Sequence, residues 1–369
     1  MGIPEKIKAI QDEMAKTQIN KATEKHLGLL KAKIAKLKRE QEDDVTKKSG
    51  MKQDGFDVRR SGDATVVFIG LPSVGKSTLL NKMTGANSTI GAFQFTTLTV
   101  VPGMMEYRGA KIQVLDLPGI IKGASTGKGL GKRILSVART ADLVLLVLDV
   151  FQPFHEDVLV NELGSIGIRL NQLPPNLTIE KAGMGGIAVA QQVKLTKISV
   201  DHLKSILHLY GIVSARVVVR EDVTSEQLAD HIAGNISYSK ALTILNKIDL
   251  VDKEFLENLK TKIKSDVIEV SANSDINVEL LKEKIYEKLK FIRIYLRPKG
   301  GETDFKDPLI ARESDTVEDI CNKLHRRLKR DFRYGLVWGK SVKFGGQRVG
   351  LNHILLDEDV LTIIKKRGT

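Results

Sequence analysis

The segment from Gly70 to Thr78 constrains the fold more than any other part of the chain. It matches the phosphate-binding loop pattern, in which a glycine and four variable residues are followed by glycine, lysine and serine or threonine. An apolar run, 64–69, precedes the loop and a helix-like run, 78–83, follows it. This order of strand, glycine turn and helix start predicts an α/β domain whose loop amides surround phosphate oxygens. The predicted contacts are Gly70, Leu71, Pro72, Ser73, Val74, Gly75, Lys76, Ser77 and Thr78.

Two side chains of this loop and a second motif predict how phosphate and metal would be held. Lys76 can reach the β- and γ-phosphates, and the Ser77 hydroxyl can ligate Mg²⁺. Asp116 follows the alternating strand 110–115 and opens the motif Asp-Leu-Pro-Gly. Its carboxylate would orient the magnesium shell through water, and Gly119 would sense the γ-phosphate. Taken alone, such a motif is more often an ordinary turn.

A third motif predicts which base is bound. The strand-like run 241–245 leads into Asn246, Lys247 and Asp249. A carboxylate at Asp249 can accept hydrogen bonds from N1–H and the N2 amino group of guanine, whereas adenine has no donor at N1 and would leave a buried acceptor unpaired. Ser271 and Ala272, after another strand-like run, would close the base pocket. Together the motifs predict a guanine-nucleotide-binding domain.

Composition limits where the protein can act. The 369 residues suffice for two or three domains, and the single cysteine, Cys321, excludes an intrachain disulfide. The sequence shows no signal peptide, no lipidation motif and no stretch near the roughly 18 apolar residues of a membrane span. These features predict a cytoplasmic protein that does not bind membranes.

Positive charge is concentrated at the two ends. The formal net charge is +13, and most of the excess lies in 1–48 and 291–369, whereas the centre is nearly balanced. Basic ends on a nucleotide-binding chain suggest contact with a polyanion, with ribosomal or other RNA as the leading candidate. A solvated surface or the binding site of an acidic protein are the alternatives. The N-terminal residues do not indicate a DNA-reading motif.

Residues 95–98, Phe-Thr-Thr-Leu, and the glycine-rich segment 116–133 resemble the first and second switches of the Obg-type GTPases. Nearly the whole chain resembles their eukaryotic branch, the developmentally regulated GTP-binding proteins, in particular the first of its two subfamilies. The resemblance implies that Thr97 closes onto Mg²⁺ when GTP is bound, although residue counting alone leaves Thr96 and Thr97 both open. Lys76, Thr97 and Gly119 are then the predicted catalytic residues.

The resemblance implies slow hydrolysis of GTP to GDP. Ras-like enzymes place a Gln that orients the attacking water beside the switch glycine, and this chain has Ile120 there. A monovalent cation, a switch residue or a partner would supply the missing group. Some relatives bind potassium through an Asn of the phosphate loop, and Ser73 at that position argues against potassium here.

Five segments are predicted. Residues 1–48 form a helical hairpin and 49–60 a linker, and 61–165 with 233–290 form the GTPase domain. Residues 166–232 form an inserted strand-strand-helix-strand domain, which the resemblance likens to domain 2 of ribosomal protein S5. Residues 291–369 resemble the ubiquitin-like, β-grasp TGS domain, with a helix capped by Thr316.

The densest basic cluster predicts an RNA contact. Guanidinium groups interleaved with aromatic rings suit phosphates and exposed bases of structured RNA. The competing interpretation places Phe332, Tyr334 and Trp338 in a small core, and it is favoured for Trp338. The candidate contacts are Arg326, Arg327, Lys329, Arg330 and Arg333.

The sequence therefore predicts a cytoplasmic, Mg²⁺-dependent GTPase that associates with ribosomes and promotes translation. The resemblance further implies a dedicated regulatory protein that forms a heterodimer with it. The alternative is an RNA- or cytoskeleton-binding adaptor that uses GTP or GDP as a structural ligand.

Overall fold

A computed structural model describes residues 2–18, 23–49, 61–84, 93–95, 98–117, 137–234, 236–260, 263 and 266–366. The predicted switch residues Thr97, Gly119 and Ile120 lie outside these ranges. The chain divides into two compact units, one formed by Met1–Gly55 with Leu163–Tyr238 and the other by Phe56–Glu162 with Ser239–Thr369.

The strands are β1 Ala64–Gly70, β2 Phe93–Phe95, β3 Leu98–Tyr107, β4 Ala110–Asp116, β5 Leu143–Asp149, β6 Ile168–Leu170, β7 Leu177–Lys181, β8 Ile187–Gln191, β9 Ala215–Val219, β10 Ser237–Ser239, β11 Ala241–Asn246, β12 Val267–Val270, β13 Phe291–Leu296, β14 Leu309–Arg312, β15 Phe332–Trp338, β16 Gln347–Val349 and β17 Val360–Lys365. The helices are Ile3–Lys16, Glu24–Ser49, Lys76–Thr84, His155–Ser165, Val200–Leu209, Ser225–Ala233, Lys253–Lys260, Val278–Leu289, Val317–Leu324 and Arg326–Asp331, with a 3-10 turn at Ile248–Leu250. No helix among the described residues is both long enough and apolar enough to cross a membrane.

A seven-stranded sheet in the order β12-β11-β5-β1-β4-β3-β2 forms the centre of the second unit. The strands from β12 to β4 are parallel, and β3 runs antiparallel to β4. Every residue of β1 is buried, as expected for a parallel strand covered by helices on both faces. Because parallel strands end at the same edge, the motifs that follow β1, β4, β11 and β12 meet there.

The C-terminal residues form a five-stranded sheet in the order β14-β13-β17-β15-β16, with β13 parallel to β17. The helix Val317–Leu324 packs on one face of this sheet and contributes Val317, Ile320 and Cys321 to its core. Thr316 caps that helix as predicted, since its Oγ1 accepts a hydrogen bond from the Asp319 amide. The sequence prediction missed β14 and the short helix Arg326–Asp331.

An ion pair ties the C-terminal sheet to the start of β5. The Asp142 carboxylate accepts hydrogen bonds from the Thr65 amide at 2.9 Å and from the Arg312 guanidinium at 2.5 Å. This contact lies at the start of β5, at the edge of the sheet opposite to the edge where the motifs meet.

The first unit combines the N-terminal helices with the insert. Its three-stranded sheet has the order β7-β9-β8, and the helix Val200–Leu209 lies between β8 and β9 in the chain as predicted. Ala32 from the second N-terminal helix is fully buried in the core of the insert. The Tyr210 hydroxyl also donates to the Ala32 carbonyl at 3.1 Å, and Lys36 Nζ donates to the Leu209 carbonyl at 2.9 Å. Hairpin and insert therefore share a core, which the sequence prediction did not foresee.

The mixed architecture of the two units confirms the predicted α/β fold class.

Candidate nucleotide-binding site

The loop between β1 and the helix Lys76–Thr84 has a conformation that requires glycine at its end. Gly75 has a φ of 92°, and a Cβ there would collide with the Asn246 side-chain amide. Ser73 also adopts positive φ, 64°. The backbone is thus turned so that the start of the helix closes a concave loop, the arrangement that binds phosphate through amides and a helix N-terminus.

Lys76 lies over its own loop. Its Nζ donates to the carbonyls of Leu71 at 2.8 Å and Gly70 at 3.2 Å, and the residue is 7% exposed. Burial lowers the pKa of Lys76, opposed by the negative charge of Asp116. An ammonium group has three donors, so one hydrogen remains for a ligand in this loop.

Asp116 at the end of β4 is a buried carboxylate that is only half satisfied. Its Oδ2 accepts a hydrogen bond from Ser77 Oγ at 2.5 Å, whereas its Oδ1 has no partner among the described residues. Burial raises the pKa of Asp116, and this effect outweighs the Ser77 hydrogen bond and the charge of Lys76. A buried carboxylate oxygen without a donor is costly.

These groups fit a magnesium ion. Mg²⁺ prefers oxygen ligands and is usually held by one or two side chains together with water and phosphate oxygens. The Ser77 hydroxyl and the unsatisfied Asp116 oxygen supply such ligands beside the loop. The described part of the chain holds no cluster of three or more His, Cys, Asp or Glu side chains that could bind a metal, and a magnesium site of this kind needs none.

Asn246 joins three parts of the site. Its Nδ2 donates to the Val74 carbonyl of the loop at 2.9 Å, and its Oδ1 accepts from the Ala272 amide at 3.1 Å. The side chain is buried, with the residue 2% exposed. The end of β11 is thereby fastened both to the phosphate-loop segment and to the segment after β12.

Lys247 and Asp249 follow in a tight turn. Lys247 has a φ of 69°, and its Nζ lies 2.6 Å from Asp149 Oδ2. Asp249 is exposed within the 3-10 turn Ile248–Leu250. Asp149 was not among the predicted site residues, although its place at the end of an apolar strand was a sequence signal that could have found it.

The Ser271 segment forms a closed loop after β12. Its backbone exchanges two hydrogen bonds of 3.1 Å with Ile276, and Ser271 Oγ accepts from the Ser274 amide at 3.1 Å. Ser271 and Ala272 are buried beside Asn246. The structure therefore brings the described residues of all four predicted motifs to one edge of the sheet.

The predicted RNA-contact residues lie elsewhere, on and just after the helix Arg326–Asp331, and all are exposed. Lys329 pairs with Glu318 at 2.5 Å and Arg330 with Asp331 at 3.1 Å. Among the described residues, no carboxylate pairs with Arg326, Arg327 or Arg333.

The prediction that Trp338 is a core residue is wrong. Phe332 is the aromatic residue in the core, and Trp338 is half-buried with the Arg297 guanidinium 5.1 Å from its ring centroid. A register shift between Phe332 and Tyr334 explains the difference, because it changes which residues of β15 face the helix.

Three family models match consecutive parts of the chain. Residues 65–181 match "50S ribosome-binding GTPase", 184–291 match "C-terminal region of MMR_HSR1 domain" and 292–365 match "TGS domain". Together with the phosphate loop and the turn that contains Lys247 and Asp249, these matches define a P-loop GTPase that carries a C-terminal TGS domain.

Relatives of similar length narrow the class to a family. "Uncharacterized GTP-binding protein MJ1326" of Methanocaldococcus jannaschii is 54% identical over 100% of this chain and 94% of its own length. "Developmentally-regulated GTP-binding protein 2 homolog" of Dictyostelium discoideum is 49% identical over 99% of this chain and all of its own. "Ribosome-interacting GTPase 1" of Saccharomyces cerevisiae is 48% identical over 98% of this chain and 99% of its own. The chain belongs to the family of developmentally regulated GTP-binding proteins.

The predicted family and GTPase activity are confirmed by these relatives, and a guanine nucleotide is the ligand of the class. The archaeal relative shows that the similarity is not confined to the eukaryotic branch. Membership of the first subfamily stays a prediction, because a relative numbered 2 is 49% identical.

Proposed function

We propose that the protein is a Mg²⁺-dependent GTP switch that acts on the ribosome. The observation that carries the nucleotide part is the buried, half-satisfied Asp116 beside Ser77 and Lys76. A magnesium ion held by Ser77, with Asp116 contacting it through water, would satisfy the unpaired oxygen. Lys76 would bind the β- and γ-phosphates and neutralise charge that develops during transfer to water.

Base recognition is assigned to the turn after β11. Asp249 is exposed at the motif edge, where its carboxylate can accept two hydrogen bonds from guanine. Lys247, Asn246, Ser271 and Ala272 would contact or support the base at the same edge of the sheet. The residues of the phosphate loop, from Gly70 to Thr78, complete the proposed nucleotide contacts.

The proposed switch consists of Thr97 and Gly119, which would engage Mg²⁺ and the γ-phosphate. Because Ile120 cannot orient water, intrinsic hydrolysis is expected to be slow, with the missing group supplied by a switch residue or a partner. Ser73 stands where a potassium-binding Asn would be required, which disfavours a potassium ion in that role.

The ribosomal part of the proposal is supported by two observations. The yeast relative is named a ribosome-interacting GTPase, and three exposed arginines, Arg326, Arg327 and Arg333, lack carboxylate partners among the described residues. Guanidinium groups of this kind suit RNA phosphates. The protein would then act in the cytoplasm, promote translation and form a heterodimer with a regulatory protein, as the family resemblance implies.

Ribosome co-sedimentation tests this proposal. We expect retention with GTP or a non-hydrolysable analogue that falls steeply with added salt. Replacing Arg326, Arg327 and Arg333 by Ala should weaken retention, whereas a control that removes the same charge from Lys299, Lys340 and Lys343 of the same domain should not. A protein that stays in the free fraction in every nucleotide state at low salt would refute the ribosomal role.

The Lys76→Ala variant distinguishes the proposed switch from the adaptor alternative. The proposed switch requires that this variant lose nucleotide affinity and nucleotide-dependent ribosome association together. Lost nucleotide affinity with unchanged ribosome association and unchanged cellular function would favour the adaptor.

A further inference from the structure

We infer that Asp149 is a positioning residue that holds the guanine-recognition turn in its binding conformation. The inference rests on the proposed base site and adds a residue that does not itself contact the nucleotide. Asp149 would act on the nucleotide through Lys247.

The contacts of Asp149 use both carboxylate oxygens. Oδ2 lies 2.6 Å from Lys247 Nζ, and Oδ1 accepts a hydrogen bond from the Phe151 amide at 3.0 Å. Asp149 lies opposite Asn246 in the pairing of β5 with β11. The carboxylate is therefore fixed by its own strand end and by the turn that follows it, and it presents one oxygen to the lysine of the neighbouring strand end.

Both members of the pair are partly shielded from water. The side chains of Asp149 and Lys247 are 15% and 28% exposed. A charge pair with this much burial is screened less than a surface pair, and removing one partner leaves the other poorly solvated. Loss of the Asp149 charge should therefore move the Lys247 side chain toward solvent.

The backbone of Lys247 explains why such an anchor matters. A φ of 69° is an unfavourable conformation for a residue with a Cβ, and it persists only when surrounding contacts impose it. The turn is closed by the Leu250 amide, which donates to the Lys247 carbonyl at 3.1 Å. Because Asp249 lies inside this turn, the conformation of Lys247 sets the direction of the carboxylate that reads the base.

Asp149→Asn tests the inference, because it keeps the shape and the Phe151 acceptor but removes the charge. We expect the Kd values for GDP and GTP to rise by the same factor, about 10-fold. The single-turnover rate of hydrolysis of bound GTP should stay within roughly twofold of wild type, since the phosphate contacts are not changed. A loss confined to GTP, or a slower chemical step with unchanged affinity, would overturn the inference.

A double-mutant cycle tests whether Asp149 affects GDP affinity through Lys247. In a Lys247→Ala background, Asp149→Asn should change GDP affinity by less than about twofold, because the group through which it acts is gone. If Asp149→Asn is fully additive with Lys247→Ala, the residue does not act through the lysine and the inference fails.

The other end of β5 provides a matched control. Asp142→Asn breaks a comparable ion pair, with Arg312, and should leave GDP affinity unchanged. Equal losses of affinity in Asp142→Asn and Asp149→Asn would mean that both substitutions act through general stability. Failure of the proposed function is distinguishable, since the wild-type protein would then show no preference for guanine nucleotides at all.

Discussion

Asp116→Asn should stabilise the nucleotide-free protein while abolishing its magnesium response. The residue is 7% exposed, and one of its oxygens has no partner among the described residues. A buried unsatisfied group costs about 1–3 kcal/mol, and more when it is charged. Asn removes the charge but keeps an acceptor for Ser77, at the loss of the attraction to Lys76. We expect a net gain of about 1 kcal/mol, or roughly 2–4 °C in the melting temperature of a unit of this size.

The raised pKa of Asp116 determines how the stability difference between the Asn variant and wild type changes with pH. The folded-state pKa of Asp116 is raised, so the stability contributed by its protonated form is complete below the unfolded pKa and is lost as pH rises through the folded pKa. Wild type loses that contribution as pH rises through the folded pKa of Asp116, whereas the Asn variant is neutral throughout. The difference in unfolding free energy between variant and wild type should therefore widen as pH rises through the folded pKa of Asp116 and shrink as pH falls below it.

Calorimetric melting of nucleotide-free, chelator-treated protein measures the stability difference between variant and wild type. GDP titrations with and without Mg²⁺ measure how much the metal strengthens GDP binding. Asp230 provides a matched control: burial raises its pKa as well, but it is paired with Arg169 at 2.8 Å and 3.0 Å. Asp230→Asn should destabilise the protein, by about 3–5 kcal/mol if the pair is fully broken. If Asp116→Asn destabilises to a similar extent at all pH values, or keeps its magnesium response, the reasoning about the metal site is wrong.

Three further outcomes can be checked separately. Asp249→Asn should weaken GDP binding and favour xanthosine diphosphate, because an amide can donate to the C2 carbonyl of xanthine. Competition titrations between the two nucleotides measure this change, and a retained preference for GDP would contradict the prediction. Gly75→Ala should lower GDP affinity through its positive φ and the collision with Asn246, and an unchanged Kd would refute the loop geometry. Thr316→Ala should cost about 1 kcal/mol in unfolding free energy without altering GDP affinity, since it removes only a helix cap; altered affinity would argue that the cap influences the site.

The candidate site was predictable where glycine or polar residues interrupt apolar runs at strand ends. Gly70, Asp116 and Asn246 each follow or end a buried strand, and parallel pairing brings such ends together whatever the intervening chain does. The same reasoning could have included Asp149. Its partner Lys247 is 98 residues away, and one sequence gives no register between β5 and β11.

Contacts between distant segments were not predictable. Ala32 is a small residue on a lysine-rich helix, and its burial depends on an insert that begins more than a hundred positions later. In β15, the regular alternation of inward and outward residues breaks at the register shift after Phe332, and the sequence alone does not show this shift, so the core assignment of Trp338 was wrong.

Calorimetric titration of the wild-type protein with GDP and with ADP, both with Mg²⁺, tests the central claim most directly. We expect GDP to bind at least about 100-fold more tightly than ADP, because adenine would leave the Asp249 carboxylate without its two donors. Equal affinities for the two nucleotides, or no heat with either, would contradict the account.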